Sequence, residues 1–202
     1  MGSYYGSRLW EAGHDVKFYM REPHYSACSK AGLNVTSIDG DVFIPSSEID
    51  VRDSTRKIGV VDWVLVSLKS TSLDAIPDLV YPLLDSDRTR VLVIMNGLVE
   101  DDLIRMLKEK ANEETDDSSA QLQCCKALYG GMAFICSNRL EPGRVDHSYA
   151  GLLTAGSASS RSDDPIGDQA AFEDLWRTTS IPTSYDQCLL RGRWKKMYVI
   201  IS

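Results

Sequence analysis

Apolar residues recur at helical spacing from the start of the chain. Over residues 2–12, Tyr5, Leu9 and Ala12 share one face, and Gly13 stands where such a helix ends. Residues 16–20 read as a short strand. After a polar stretch, "GLNVTSIDGDVFIP" alternates about Asp39-Gly40 in the manner of a small hairpin and stops at Pro45. "VVDWVLVSLK" is a nearly continuous apolar run rich in β-branched residues, the pattern of a strand buried on both faces of a parallel sheet. Residues 72–84 predict a helix that carries Pro77. Residues 91–95 predict a second buried strand ending in Asn96-Gly97, with another helix over 98–108.

The following "KEKANEETDDSSAQ" is polar and without period, the composition of a solvated loop. Beyond it, "ALYGGMAFICSNRLEPGRVDHSYAGLLTAG" contains three strand-like runs, broken at Glu141-Pro142-Gly143 and at Gly151. They predict antiparallel strands added to the sheet edge. A helix over 165–177, a last strand over 183–186 and the start of a helix in "LLRGRWKKMYVIIS" complete the order. Strands alternating with helices at this spacing predict an open α/β sheet, in which ligands bind outside the carboxyl ends of the strands. Lys69 and Asn96 stand at two such ends. From placement alone they are either two parts of a site or an exposed lysine and an ordinary turn.

Composition adds exclusions. The 202 residues are 43% hydrophobic and 25% charged, enough for one sizeable core and part of a second. A formal charge of -7 argues against a general nucleic-acid or anionic-membrane surface. Five cysteines without C-x-x-C spacing indicate neither a disulfide framework nor a zinc site and suit a reduced, cytoplasmic setting. His14, His24 and His147 are too scattered to predict a metal. No apolar run approaches the roughly 20 residues that span a bilayer.

The motifs together resemble the ketopantoate reductase (2-dehydropantoate 2-reductase) family. "MGSYYG" is similar to the tail of that family's G-x-G-x-x-G fingerprint with Gly2 as its third glycine, and "DWVLVSLKSTSLDAI" to its strand with a terminal lysine, here Lys69. "VLVIMNGL" is similar to the segment carrying its asparagine, here Asn96. The "GGMAFICSNRLEPGRVDHSYAGLLTAG" block and "RWKKMY" follow in the family's order. The resemblance implies a Rossmann-like open sheet whose first strand is missing, over residues 1–186, with the start of a helical substrate and dimerisation domain at 187–202. It thus implies a chain truncated at both ends. Without the first strand, two strand edges lose their partner, which predicts a chain prone to aggregate.

The family reduces 2-dehydropantoate, a small 2-keto acid, to pantoate with NADPH, on the route to pantothenate and coenzyme A. The resemblance therefore implies NADP(H) as cofactor, Lys196 as the acid that protonates the carbonyl oxygen, and Asn96 as a group holding cofactor and substrate. Lys69 would add positive charge, and Gly2 would face the cofactor phosphates. Lys195 is the alternative to Lys196. Arg21 lies about 20 residues past the glycines, where an acidic residue would select NAD, so arginine there favours NADP. Glu22 beside it either competes for that role or pairs on the surface. Ile200 stands four residues after Lys196, where the family carries an asparagine. Two other readings are a related NADP-dependent 2-hydroxyacid dehydrogenase and a non-catalytic nucleotide-binding or interaction protein. A homodimer would form through the helical domain.

Overall fold

The structure, a computed structural model, describes residues 1–114, 124–158 and 164–201. The elements run α1 (Gly2–Glu11), β1 (Lys17–Tyr19), α2 (His24–Ala31), β2 (Leu33–Ser37), β3 (Val42–Ile44), β4 (Asp50–Arg52), β5 (Trp63–Val66), α3 (Ile76–Val80), β6 (Arg90–Val93), α4 (Glu100–Glu114), β7 (Ala127–Glu141), β8 (Arg144–Ser157), α5 (Pro165–Trp176), β9 (Thr183–Tyr185) and α6 (Leu189–Ile201). They pack as two compact units. Met1–Ile58, Ala133–Leu153 and Asp174–Thr183 make the first; Gly59–Met132, Thr154–Glu173 and Ser184–Ser202 make the second. Among the described residues, no helix is long and apolar enough to cross a membrane.

In the first unit, α1 buries Tyr5 and Leu9 as its spacing predicts, together with Tyr4 and Arg8. The helix stops through a Schellman arrangement. The His14 amide donates to the Leu9 carbonyl (3.1 Å) and the Gly13 amide to that of Trp10 (2.9 Å), with Gly13 at φ +90°. Tyr4 and Arg8 tie α1 to the turn of the β2–β3 hairpin. The Tyr4 hydroxyl donates to Asp39 Oδ2 (3.0 Å) and the Arg8 guanidinium to the Gly40 carbonyl (2.6 Å).

Strand β2 pairs antiparallel with β3, Leu33 opposite Ile44, and parallel with β8, Ser37 opposite His147. His147 is buried, and its Nε2 lies 3.2 Å from the Tyr149 carbonyl. A carbonyl can only accept, so the proton resides on Nε2, and Nδ1 accepts from the Ser37 hydroxyl at 2.8 Å. The Tyr4 ring packs 4.1 Å from this imidazole.

Two elements of this unit leave no readable period. Strand β4 is three half-buried residues, two of them charged, that pair parallel with β1. Helix α2 fills the polar stretch before the hairpin and buries Cys28 alone.

In the second unit, β5, β6 and β7 are parallel, with Val66 opposite Val93 and Val93 opposite Gly130. Strand β6 is central and buries Val91, Leu92 and Val93 completely. The apolar run of β5 predicts burial on both faces, but β5 is the end strand and buries alternate residues only. Both β1 and β5 thus keep one edge without a strand partner among the described residues.

The single helix expected over 72–84 is broken into a 3-10 turn (Ser70–Ala75), α3 and a second 3-10 turn (Tyr81–Leu83). Pro77 and Pro82 each occupy the first turn of a new piece, where their missing amide is harmless. Helix α4 runs beyond its expected end to Glu114, its outer face laced by pairs such as Arg105–Glu109 (2.9 Å) and Lys110–Glu114 (3.2 Å). The polar loop expected there is therefore helix at its start, and residues 115–123 lie outside the described residues.

The three short runs expected after residue 127 are instead two long strands, β7 and β8, turning at Pro142-Gly143. Gly151 does not interrupt β8. Strand β7 joins β6 in parallel, and β8 joins β2 in parallel, so the hairpin does not merely extend an antiparallel edge.

Helix α6 is fixed by one buried ion pair. The Arg193 guanidinium meets the Glu100 carboxylate at the start of α4 and donates to the Met95 carbonyl (2.5 Å), with Arg193 only 3% and Glu100 6% exposed. Gly130 on β7 makes room for this arrangement. A Cβ there would stand 2.5 Å from both Glu100 Oε1 and the Leu189 side chain.

Two substitutions separate these devices. Gly13→Ala meets nothing within 4 Å, so its cost is backbone alone and is expected to be about 1–2 kcal/mol. Glu100→Ala strands the Arg193 charge in the interior and is expected to cost about 3–5 kcal/mol. Urea denaturation of both variants checks the ranking, and a Glu100→Ala loss no larger than that of Gly13→Ala would refute it.

Candidate active site

The second unit gathers polar groups at the carboxyl end of β6. The strand closes at Val93 and leads through Ile94 into Met95-Asn96-Gly97, and α4 begins three residues after Gly97 at Glu100. Opposite them, α6 presents Arg193 and Lys196, three positions apart and so on neighbouring parts of one helix face. With Arg193 held by Glu100 and the Met95 carbonyl, Lys196 is brought onto Asn96, and its ammonium donates to Asn96 Oδ1 at 2.9 Å. Asn96, Gly97, Arg193, Lys196 and Met197 line a small open cavity of about 190 Å³.

Lys196 is half-buried. Burial, and then the positive charge of Arg193, lower its pKa from the ordinary lysine value. An ammonium in this setting gives up its proton more readily than one in water, yet keeps a hydrogen-bond acceptor that orients it. The arrangement can bind a carbonyl or carboxylate oxygen and deliver a proton to it.

The remaining sequence candidates fall as follows. Lys69 is exposed, three positions beyond Val66, just as Asn96 is three beyond Val93, the register partner of Val66. Both residues therefore follow the same end of two adjacent parallel strands. Lys195 is exposed on α6, whereas Lys196 contacts Asn96. The side chain of Ile200 lies outside the described residues.

Gly2 and Arg21 belong to the first unit. Gly2 opens α1, whose first turn carries no acidic residue. Arg21 follows β1 and is exposed. Glu22 is committed elsewhere, since its carboxylate accepts from the Ser26 hydroxyl (2.6 Å) and the Ser26 amide (3.3 Å) at the start of α2.

Sequence reasoning missed Glu100 and Arg193. Glu100 belongs to no motif, Arg193 opens the "RWKKMY" segment without a role of its own there, and in the sequence both look like ordinary surface charges. The available signal was the spacing of Arg193 and Lys196 on one helix face, together with an acidic residue soon after the Asn96-Gly97 turn.

Comparison with known proteins shows what the whole chain is similar to. The family model described as Ketopantoate reductase PanE/ApbA matches residues 1–160. A 2-dehydropantoate 2-reductase from a Nostoc species is 32% identical over 200 residues, covering 98% of this chain and 56% of that protein. The crystal structure of 2-dehydropantoate 2-reductase from Geobacter metallireducens superposes with a TM-score of 0.80 at 31% identity, covering 96% of this chain and 57% of that one. A D-mandelate dehydrogenase solved with NADH and anilino(oxo)acetate shares the fold, with a TM-score of 0.75 at 16% identity. The chain thus spans a little over half the length of these relatives. The α/β architecture and a family match over most of the sequence lead to one assignment: the chain belongs to the ketopantoate reductase family.

Proposed function

We propose that this chain provides the dinucleotide-binding part and the proton donor of an NADPH-dependent 2-dehydropantoate 2-reductase. The observation that carries the reading is the contact of Lys196 with Asn96 just beyond the carboxyl end of β6, where both line a small cavity. Residues 1–186 form the dinucleotide-binding part in this proposal. Residues 187–202 begin the substrate domain, through which a homodimer would form. An odd number of cysteines without C-x-x-C spacing suits a reducing, cytoplasmic setting in this proposal.

The residues of the first unit suit a phosphorylated dinucleotide. The amides at the start of α1 face no acidic side chain in their own turn, which favours an anion at Gly2. With Glu22 engaged by Ser26, Arg21 is left as the charged group after β1 that would take a 2′-phosphate. When bound, the dinucleotide supplies the hydride that reduces the keto carbon. In the second unit, Asn96 orients the Lys196 ammonium, and Lys196 stabilises the negative charge growing on the carbonyl oxygen and then protonates it. Lys69 adds positive charge that favours an acidic substrate.

Steady-state reduction of 2-dehydropantoate with NADPH tests the reading. Lys196→Ala is expected to lower turnover by about 10²–10⁴-fold, whereas Lys195→Ala stays near wild type. Lys196 must be protonated to act, so turnover is expected to fall as pH rises, with a midpoint below the usual lysine value of about 10.4. Equal turnover in the two alanine variants would remove Lys196 from the role. NADPH binding without turnover in the parent would leave a nucleotide-binding protein.

Arg21→Ala is expected to weaken NADPH binding by about 1–3 kcal/mol and to leave NADH nearly unchanged. Fluorescence titration of both cofactors measures this, and equal losses would exclude Arg21 from 2′-phosphate recognition.

A further inference from the structure

The Glu100–Arg193 pair takes no part in the proposed proton transfer, yet it stands beside the group that does. Glu100 opens α4, and Arg193 lies three positions before Lys196 on α6, lining the same small cavity as Lys196 and Asn96. The guanidinium has two acceptors, the Glu100 carboxylate and the Met95 carbonyl (2.5 Å), while its Nε has no hydrogen-bond partner among the described residues. One carboxylate and one carbonyl thus leave a buried cation incompletely served. Its field therefore reaches the ammonium one helical turn away.

We propose that Glu100 and Arg193 are a positioning pair for Lys196, in which Arg193 seats the ammonium on Asn96 and Glu100 moderates the guanidinium charge that this ammonium feels. The inference rests on the reading of Lys196 as proton donor and adds the two residues that set its working pH. Neither touches the substrate. An unpartnered guanidinium one turn away favours the neutral amine, which has no proton to deliver. With no guanidinium at all, the ammonium is held more tightly protonated and its place on Asn96 is less firmly fixed. A guanidinium partly neutralised by Glu100 lies between these limits. The direction of the Lys196 shift agrees with this, since the Arg193 charge lowers its pKa after burial has done so.

Other charged groups of the surrounding elements are exposed to water, which screens them. They are Arg191 and Lys195 on α6, Asp101 and Asp102 on α4, and Lys69 after β5. Glu100 and Arg193, both buried, act through a medium that screens them far less.

The test reads Lys196 directly in the whole chain, without cofactor or substrate. Brief labelling with acetic anhydride across a range of pH modifies only the neutral amine, and peptide mass spectrometry separates Lys196 from Lys195. Glu100→Gln keeps an oxygen acceptor for the guanidinium and removes the negative charge, so its Lys196 midpoint is expected to fall below that of the parent. Arg193→Met is expected to raise it. The double variant Glu100→Leu/Arg193→Met strands no charge, so it is expected to fold and to lie between the two single variants. Where Arg193→Met does not fold, Glu100→Gln against the double variant decides alone. A role in packing only predicts that both single variants raise the midpoint, because a loosened α6 exposes Lys196 to water. Midpoints that rise together, or that stay unchanged, would overturn the proposal. Midpoints in the expected order without any turnover of 2-dehydropantoate would support the pair and count against the proposed activity alone.

Discussion

Burying an arginine beside a glutamate brings little net stability, because the desolvation of both charges offsets their attraction, and two well-packed apolar side chains would hold α6 as firmly. What the Arg193–Glu100 pair supplies is position. A guanidinium that must meet both a carboxylate on α4 and the carbonyl of Met95 has one acceptable placement, whereas an apolar contact tolerates sliding. Lys196 follows within one helical turn, so its contact with Asn96 is a consequence of that placement. The same Arg193 charge also lowers the pKa of Lys196. One buried cation therefore places the neighbouring ammonium and makes it more acidic.

In the first unit, α1 is anchored by side chains of its first two turns. Tyr4 and Arg8 reach the β2–β3 turn, and the Tyr5 hydroxyl reaches the Gly151 carbonyl (3.3 Å). These contacts fix the axis of α1. In the proposed role, the amides about Gly2 gain a fixed direction without any side chain of their own turn competing for the phosphates.

Much of this was legible in the sequence, and the gaps have physical causes. Periodicity placed α1 and the hairpin, which each bury a regular face, and apolar runs placed β5 and β6. Gly13 announced a helix end that its backbone geometry explains, and the strand-end rule singled out Lys69 and Asn96. Pairing Asn96 with Lys196 required the resemblance, since no local pattern joins residues 100 positions apart. Strand β4 and α2 escaped because they bury too little to impose a period. Gly151 looked like a break, yet β8 continues through it. Glu100 and Arg193 escaped for a different reason: a buried charge looks like a surface charge until its partner is known.

Each unit draws on three separated segments of chain, and this bears on synthesis. When synthesis has reached residue 58, α1 to β4 have been made, but β2 still lacks the β8 edge that it will pair with in parallel. Residues 174–183, needed to complete the first unit, emerge after most of the second. Neither unit can close early, and parallel pairings across such long separations are slow to form. The nascent chain therefore carries unpaired apolar strands until the later segments are made, which makes chaperone protection during translation more consequential for this topology than for one assembled from consecutive segments.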